Sequence, residues 1–118
     1  MIRGISDRAT FARLRDEGEQ VRSRDFRVRY LIDSGTSQES TRVAYALTRR
    51  VGNAVVRNRL RRQIRGVLNE QVADNRGLPH GALLFIAHQS AGELSYEDLR
   101  AQVIQMLENI EKSTVSGT

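Results

Sequence analysis

The 118-residue chain contains no cysteine. That excludes disulfides, thiolate nucleophiles and cysteine metal sites. It has no run of 18 apolar residues, so no transmembrane helix is expected. The opening residues, MIRGISDRAT, lack the apolar segment of a signal peptide, and the expected compartment is the cytoplasm. Lysine is nearly missing: Lys112 is the only one, and arginine supplies the rest of the 19 basic residues. Acid is missing locally, since residues 40–69 contain no Asp or Glu.

What is present points to a folded, basic protein. The apolar fraction is 39%, which suits a globular chain, and the length suits one domain over residues 1–118. Residues 112–118, ending in STVSGT, read as a loose tail. The net charge is +5 and the pI about 10.6, a balance that favours a polyanionic partner.

The apolar pattern gives an α+β order. Ser6 or Asp7 caps a helix that runs to about Glu17 and stops at Gly18. Phe26, Val28, Tyr30 and Ile32 alternate with Arg27, Arg29 and Leu31, which is strand periodicity. Polar SGTSQES reads as a turn, and TRVAYALT as a second strand with Val43, Tyr45 and Leu47 on one face. After the GLPHG turn, Ala82–His88 reads as a buried strand. Ser95 and Asp98 open a last helix in the manner of a capping box. Its stripe of Leu99, Val103, Met106, Leu107 and Ile110 is core.

The stretch RRVGNAVVRNRLRRQIR, residues 49–65, holds seven arginines and no acid. Gly52 and Asn53 suit a turn or a helix cap, and a helix is expected from about Ala54 to Ala73. On a helical wheel Val56, Leu60, Ile64 and Val67 form a narrow apolar stripe. Arg57, Arg61 and Arg65 line one flank, and Arg59 and Arg62 fill much of the rest. Like charges at i, i+4 repel by a few tenths of a kcal/mol per pair. A merely solvated face would interleave glutamates; without them, an external anion is the natural partner, and nucleic acid is the expected one.

Catalytic chemistry is not visible in the side chains. The acids are scattered, and no histidine pair stands at ligand spacing. His80 falls in a turn and His88 at a strand end, both read as structural or phosphate-proximal. A helix-turn-helix DNA binder is disfavoured by the strands around the basic helix. A membrane-surface helix would carry bulky aromatics on its apolar face, and this one has none. The expected partners therefore include neither DNA nor membrane.

TRRVGNAVVRNRLRRQIR resembles the signature of the bacterial ribonuclease P protein subunit: a basic pair, a Val-Gly-Asn-Ala turn, then Arg-Asn-Arg on a helix. TFARLRDEG resembles that family's first helix and LPHGALLFIAH its last strand. The resemblance implies an α-β-β-β-α-β-α domain, with a four-stranded sheet, a ribosomal-protein-like topology and a left-handed βαβ crossover. A short strand near Gln20–Arg24 completes that count. It implies a non-catalytic protein subunit of the endoribonuclease, with precursor transfer RNA as substrate. The ribonuclease P RNA cuts off the 5′ leader and holds the magnesium ions, and the protein itself is not expected to hold a metal. Carried onto this chain, Arg57, Asn58, Arg59, Arg61, Arg62 and Arg65 would face that RNA. Arg49, Arg50 and Asn53 would lie at the turn, near RNA and the bound metal region. Phe11, Arg15 and the Arg29–Tyr30 segment would line a cleft for the leader, with either Arg29 or Tyr30 facing it. Phe11 also reads as a plain core residue, and Tyr30 and Tyr45 as core or cleft. The chain departs from the family pattern in several places. Arg15 stands where a second aromatic is common, and His88 where the last strand usually ends in arginine. Thr48-Arg49-Arg50 replaces Ser-Lys-Lys. The competing reading is a structural RNA-binding protein of ribosomal type with no part in cleavage.

Overall fold

Helix α1 (Arg8–Glu17) starts where the Asp7 carboxylate accepts from Thr10 N at 2.9 Å, and ends at Gly18, whose N–H returns to the Leu14 carbonyl. Of the two capping candidates, Asp7 is the one used. In this computed structural model, residues 2–32, 41–74 and 78–116 are described. The SGTSQES turn and part of GLPHG lie outside them.

A mixed sheet follows from strands β1 (Arg3–Gly4), β2 (Glu19–Arg22), β3 (Phe26–Ile32), β4 (Arg42–Ala46) and β5 (Gly81–Ala87), in the order β1-β4-β5-β3-β2. The sheet has five strands rather than the expected four. The added one is Arg3–Gly4, which pairs in parallel with Arg42–Val43. Two residues carry no readable periodicity, so only tertiary pairing reveals them. The short strand expected near Gln20–Arg24 ends at Arg22, because Ser23–Asp25 makes the turn, with Ser23 N donating to Phe26 O at 2.8 Å. β3 and β5 pair antiparallel along their whole length, Phe26 opposite Ala87 and Ile32 opposite Gly81. β4 and β5 are parallel, and such a pair needs a crossover. Helix α2 (Ala54–Ala73) supplies it. Helix α3 (Tyr96–Ser116) begins where Ser95 Oγ accepts from Asp98 N. It runs through most of the residues that read as a tail. Gly117 is the first helix breaker there, and residues 117–118 lie outside the described ones.

Strand alternation sorts the two faces. Phe26, Val28, Tyr30, Leu83 and Phe85 point to the side covered by α2 and α3, where Leu60, Ile64, Leu99, Met106 and Ile110 are all fully buried. The opposite face carries Arg27, Arg29, Ala44, Ala82, Leu84 and Ile86. There α1 lies across β3 and β5 and buries Leu14. β5, central and covered on both sides, is apolar on both, as such strands are.

A buried polar knot ties one end of the sheet together. Asp25 accepts from Ser90 Oγ, Gln102 Nε2 (2.7 Å) and Arg24 Nε (3.1 Å), while its own N–H donates to Gln102 Oε1 at 2.9 Å. Burial pushes the Asp25 carboxyl up, but those hydrogen bonds and the Arg24 charge outweigh it and hold it below the ordinary carboxylate value. Its ionised form thus contributes stability at neutral pH, and that contribution is lost as pH falls below about 4 and through the depressed folded value. Asp25→Ala should cost about 1–3 kcal/mol near pH 7, the cost of leaving the Gln102 amide unpaired. The gap between wild type and variant in urea unfolding should narrow as pH falls below about 4. A gap that is constant from pH 7 to pH 3 would show that the charge plays no part.

Candidate nucleic-acid interface

The acid-free stretch begins at a tight turn. Val51 N donates to Thr48 O at 3.0 Å and Gly52 N to Arg49 O at 3.2 Å. A Cβ at Gly52 would stand 2.8 Å from the Val56 Cβ, so a side chain there would push the turn off the helix. Asn53 then caps α2, its Oδ1 accepting from Val56 N at 3.0 Å. No acid lies in the first turn. The helix bounds match the sequence reading because cap, apolar stripe and propensity agree.

The arginines of α2 fall into three settings. Arg57, Arg61 and Arg65 form one flank, and Arg61 and Arg65 of it lie beside Tyr45 of β4. The Arg61 guanidinium sits 6.0 Å from the centre of the Tyr45 ring, a cation–π distance, and Arg61 Nη1 donates to Asn58 Oδ1 at 2.9 Å. Arg65 also lies close enough to the Tyr45 hydroxyl to act on it electrostatically. Burial pushes the Tyr45 hydroxyl above its usual value, and the two arginines only partly offset this, so it stays protonated. Tyr45, half-buried, also stacks on Phe85 with ring centres 6.2 Å apart. Arg59 lies on the other flank and donates to the Gly92 carbonyl at 2.8 Å. Arg62 is exposed, as are Arg49 and Arg50 on the turn, and among the described residues none of these three side chains has a partner. None of the seven arginines pairs with a carboxylate there: the acids are matched elsewhere, as in Arg13–Glu17, Arg15–Asp16, Arg24–Asp25 and Arg100–Glu70.

Sequence reasoning missed the support beneath the turn. The 3₁₀ segment Gln89–Glu93 presses Gly92 against it, and a Cβ at Gly92 would come within 2.1 Å of the Val51 carbonyl oxygen. The contact, with the Arg59 bond to the same glycine and the Ser90 bond to Asp25, locks the segment under the turn. A lone glycine in SAGEL gives no local sign of this.

The residues read as a leader cleft separate. Phe11, 39% exposed, stands out from α1 on the same helical side as Arg15, so it is a surface aromatic rather than a core residue. Arg15 is exposed and pairs with the adjacent Asp16 at 3.0 Å. Arg29 points to the α1 face, where its guanidinium binds backbone carbonyls of that helix. Tyr30 points the other way. It is 3% exposed, packs in the core under α3, and its hydroxyl meets Ser113 Oγ at 3.3 Å. Its place beside Arg29 in a strand dictates opposite faces, so Tyr30 is withdrawn from the cleft. His80 is exposed just before β5 and His88 half-buried just after it. Among the described residues no group of three or more His, Asp or Glu is placed to hold a metal ion, and no helix is long and apolar enough to cross a membrane.

Comparison with known proteins fixes the family. The sequence matches the family model for Ribonuclease P over residues 3–111. This chain belongs to the ribonuclease P protein family. A ribonuclease P protein component from Bacillus velezensis is 34% identical over 90 residues, covering 76% of this chain and 73% of that protein. One from Streptococcus thermophilus is 32% identical over 97 residues, covering 82% of each. Among solved structures, the Staphylococcus aureus RNase P protein superposes with a TM-score of 0.76 at 22% identity, over 91% of this chain and 94% of that one. The Thermotoga maritima RNase P protein gives 0.74 at 18%, over 89% and 94%. At those identities the structures establish the shared fold, and the sequence match establishes the family.

Proposed function

We propose that this chain is the RNA-binding protein subunit of ribonuclease P. The turn and α2 bind the ribonuclease P RNA, the α1 face of the sheet holds the single-stranded 5′ leader of precursor transfer RNA, and the RNA does the cutting. The observation that carries the reading is the arginine surface of residues 49–65, from which every carboxylate partner is missing among the described residues. Folded RNA presents phosphates that such a surface positions without reading sequence. The exposed Arg49, Arg50 and Arg62 are the free contacts among the described residues, Arg61 and Arg65 are pre-arranged around Tyr45, Asn58 holds Arg61, and Arg57 continues their flank of the helix. The amides at the start of α2, beside Asn53, add donors for a phosphate. Among the described residues no group of three or more His, Asp or Glu is placed to hold a metal ion, and in this reading the magnesium ions of the reaction belong to the RNA. This assembly belongs in the cytoplasm.

The test is reconstitution. Mixed with a ribonuclease P RNA and a leader-bearing precursor at low magnesium, the protein should stimulate cleavage at the mature 5′ end. A ribosomal-type RNA binder would bind without stimulating, and that result would sink the proposal.

Phe11 supplies a sharper measurement. As a half-exposed ring it should contribute only about 1 kcal/mol to stability, well under a fully buried side chain. Stacking on a leader base is worth about 1–3 kcal/mol. Phe11→Ala should therefore lower precursor affinity by about 5- to 150-fold, the equivalent of that stacking energy, while affinity for mature transfer RNA stays level. Equal losses for both ligands would remove Phe11 from the leader site.

A further inference from the structure

We infer that Arg29 is a positioning residue: it straps the C-terminal end of α1 to the sheet and thereby sets where Phe11 stands, instead of touching the leader itself. The inference rests on the leader-binding reading above for its consequence, though not for its geometry.

Helix α1 is held by little apolar contact. Thr10 and Leu14 are its only buried residues, and Leu14 is the one large apolar side chain among them. The last carbonyls of any helix lack partners within it and carry the negative end of its dipole. The Gly18 N–H returns to one of them, Leu14 O, while Arg15, the one basic residue in the last turn, is engaged by Asp16. Arg29 reaches over from β3 to meet them. Its Nε donates to Leu14 O at 2.9 Å, and one terminal nitrogen donates to Arg15 O at 3.1 Å and Gly18 O at 2.9 Å. Three carbonyls thus converge on one planar guanidinium, an arrangement that lysine cannot reproduce.

The other end of α1 has a matching strap. Arg42, on β4 and the same sheet face, has Nη1 at 3.4 Å from Thr10 Oγ1, and that hydroxyl donates to Asp7 at 2.7 Å. The helix therefore bridges from β4 to β3 over Ala82, which is fully buried beneath it. Phe11 sits between the straps, one residue beyond Thr10 and three before Leu14. The three bonds use Nε and Nη2, so swinging the whole guanidinium away from α1 toward a leader would release all three carbonyls, and α1 would lose its tether.

The experiment is a double-mutant cycle with a separate structural readout. Arg29→Ala, Arg29→Lys, Phe11→Ala and the Arg29→Ala/Phe11→Ala pair are compared with wild type. Amide hydrogen exchange is measured on the free protein, and affinities for precursor and mature transfer RNA on the reconstituted complex. Arg29→Ala should speed exchange in the last turn of α1 by about tenfold or more, as expected for loss of charge-assisted hydrogen bonds. It should lower leader-dependent affinity about as far as Phe11→Ala does, and add nothing once Phe11 is gone. Arg29→Lys, which keeps a cation at the helix end, should recover part of both. Unchanged exchange in Arg29→Ala would overturn the strap. An equal loss of leader affinity with and without Phe11 would instead make Arg29 a direct contact and overturn the positioning role. If wild type itself shows no preference for a leader, the leader-binding reading fails, and the exchange data alone decide the strap.

Discussion

Purified free of RNA, this protein will leave precursor transfer RNA intact, even with ample magnesium. The expectation comes from the side chains available for hydrolysis. A metal nuclease needs clustered carboxylates, and among the described residues no His, Asp and Glu cluster of that kind exists. The sequence has no thiol. The only two histidines flank β5, one just before Gly81 and one just after Ala87. An extended strand of that length separates them by about 26 Å, too far to share a proton or a phosphate. His80→Ala and His88→Ala should each leave the chemical step nearly unchanged at saturating substrate. The RNA subunit alone should cleave slowly at high magnesium, and adding protein should lower the magnesium required, because arginine charge offsets repulsion between two RNAs. A preparation that still cut at the mature 5′ end after exhaustive removal of RNA would refute this, as would a histidine variant that folds and binds but loses the step by orders of magnitude.

Replacing Arg49, Arg50 and Arg62 together by alanine should sharply weaken binding to the ribonuclease P RNA. Each lost phosphate contact takes about 0.7–0.9 from the slope of log K against log salt. Three contacts lower the slope by about 2–3, which near 0.1 M salt amounts to about a hundredfold in affinity or more. Stability should change little, within about 0.5 kcal/mol per site, because these side chains are exposed and have no partner among the described residues. Arg59→Ala should behave differently, since it also removes the bond to the Gly92 carbonyl and loosens the segment beneath the turn. A folded triple variant with an unchanged salt slope would exclude those contacts.

Much of the architecture was legible before any coordinates. Helix α2 from Ala54 to Ala73, its Asn53 cap and its apolar stripe are local features, and local signals agree with one another there. Strand β3 declared itself by alternation, and that same alternation already placed Tyr30 with Phe26 and Val28. It did not reveal which face was core, because both faces of this sheet are partly covered, one by α2 and α3 and the other by α1. Strand β1 escaped notice because two residues have no period. The continuation of α3 through the expected tail escaped because polar residues mark the end of a buried stripe, not the end of a helix.

The chemistry divides along the same line. Sequence alone determined that an acid-free block of arginine is carried on a capped helix after a tight turn, since composition and spacing are properties of the chain. Only the tertiary structure decided how each arginine is used. Arg61 and Arg65 gather on Tyr45, Arg59 holds Gly92, Arg29 ties down α1, and Arg49, Arg50 and Arg62 are left for solvent or a ligand. Their partners lie on other elements, up to 33 residues away for Arg59 and Gly92. Most of these partners are backbone carbonyls and an aromatic ring, groups that no charge pattern in a sequence can announce.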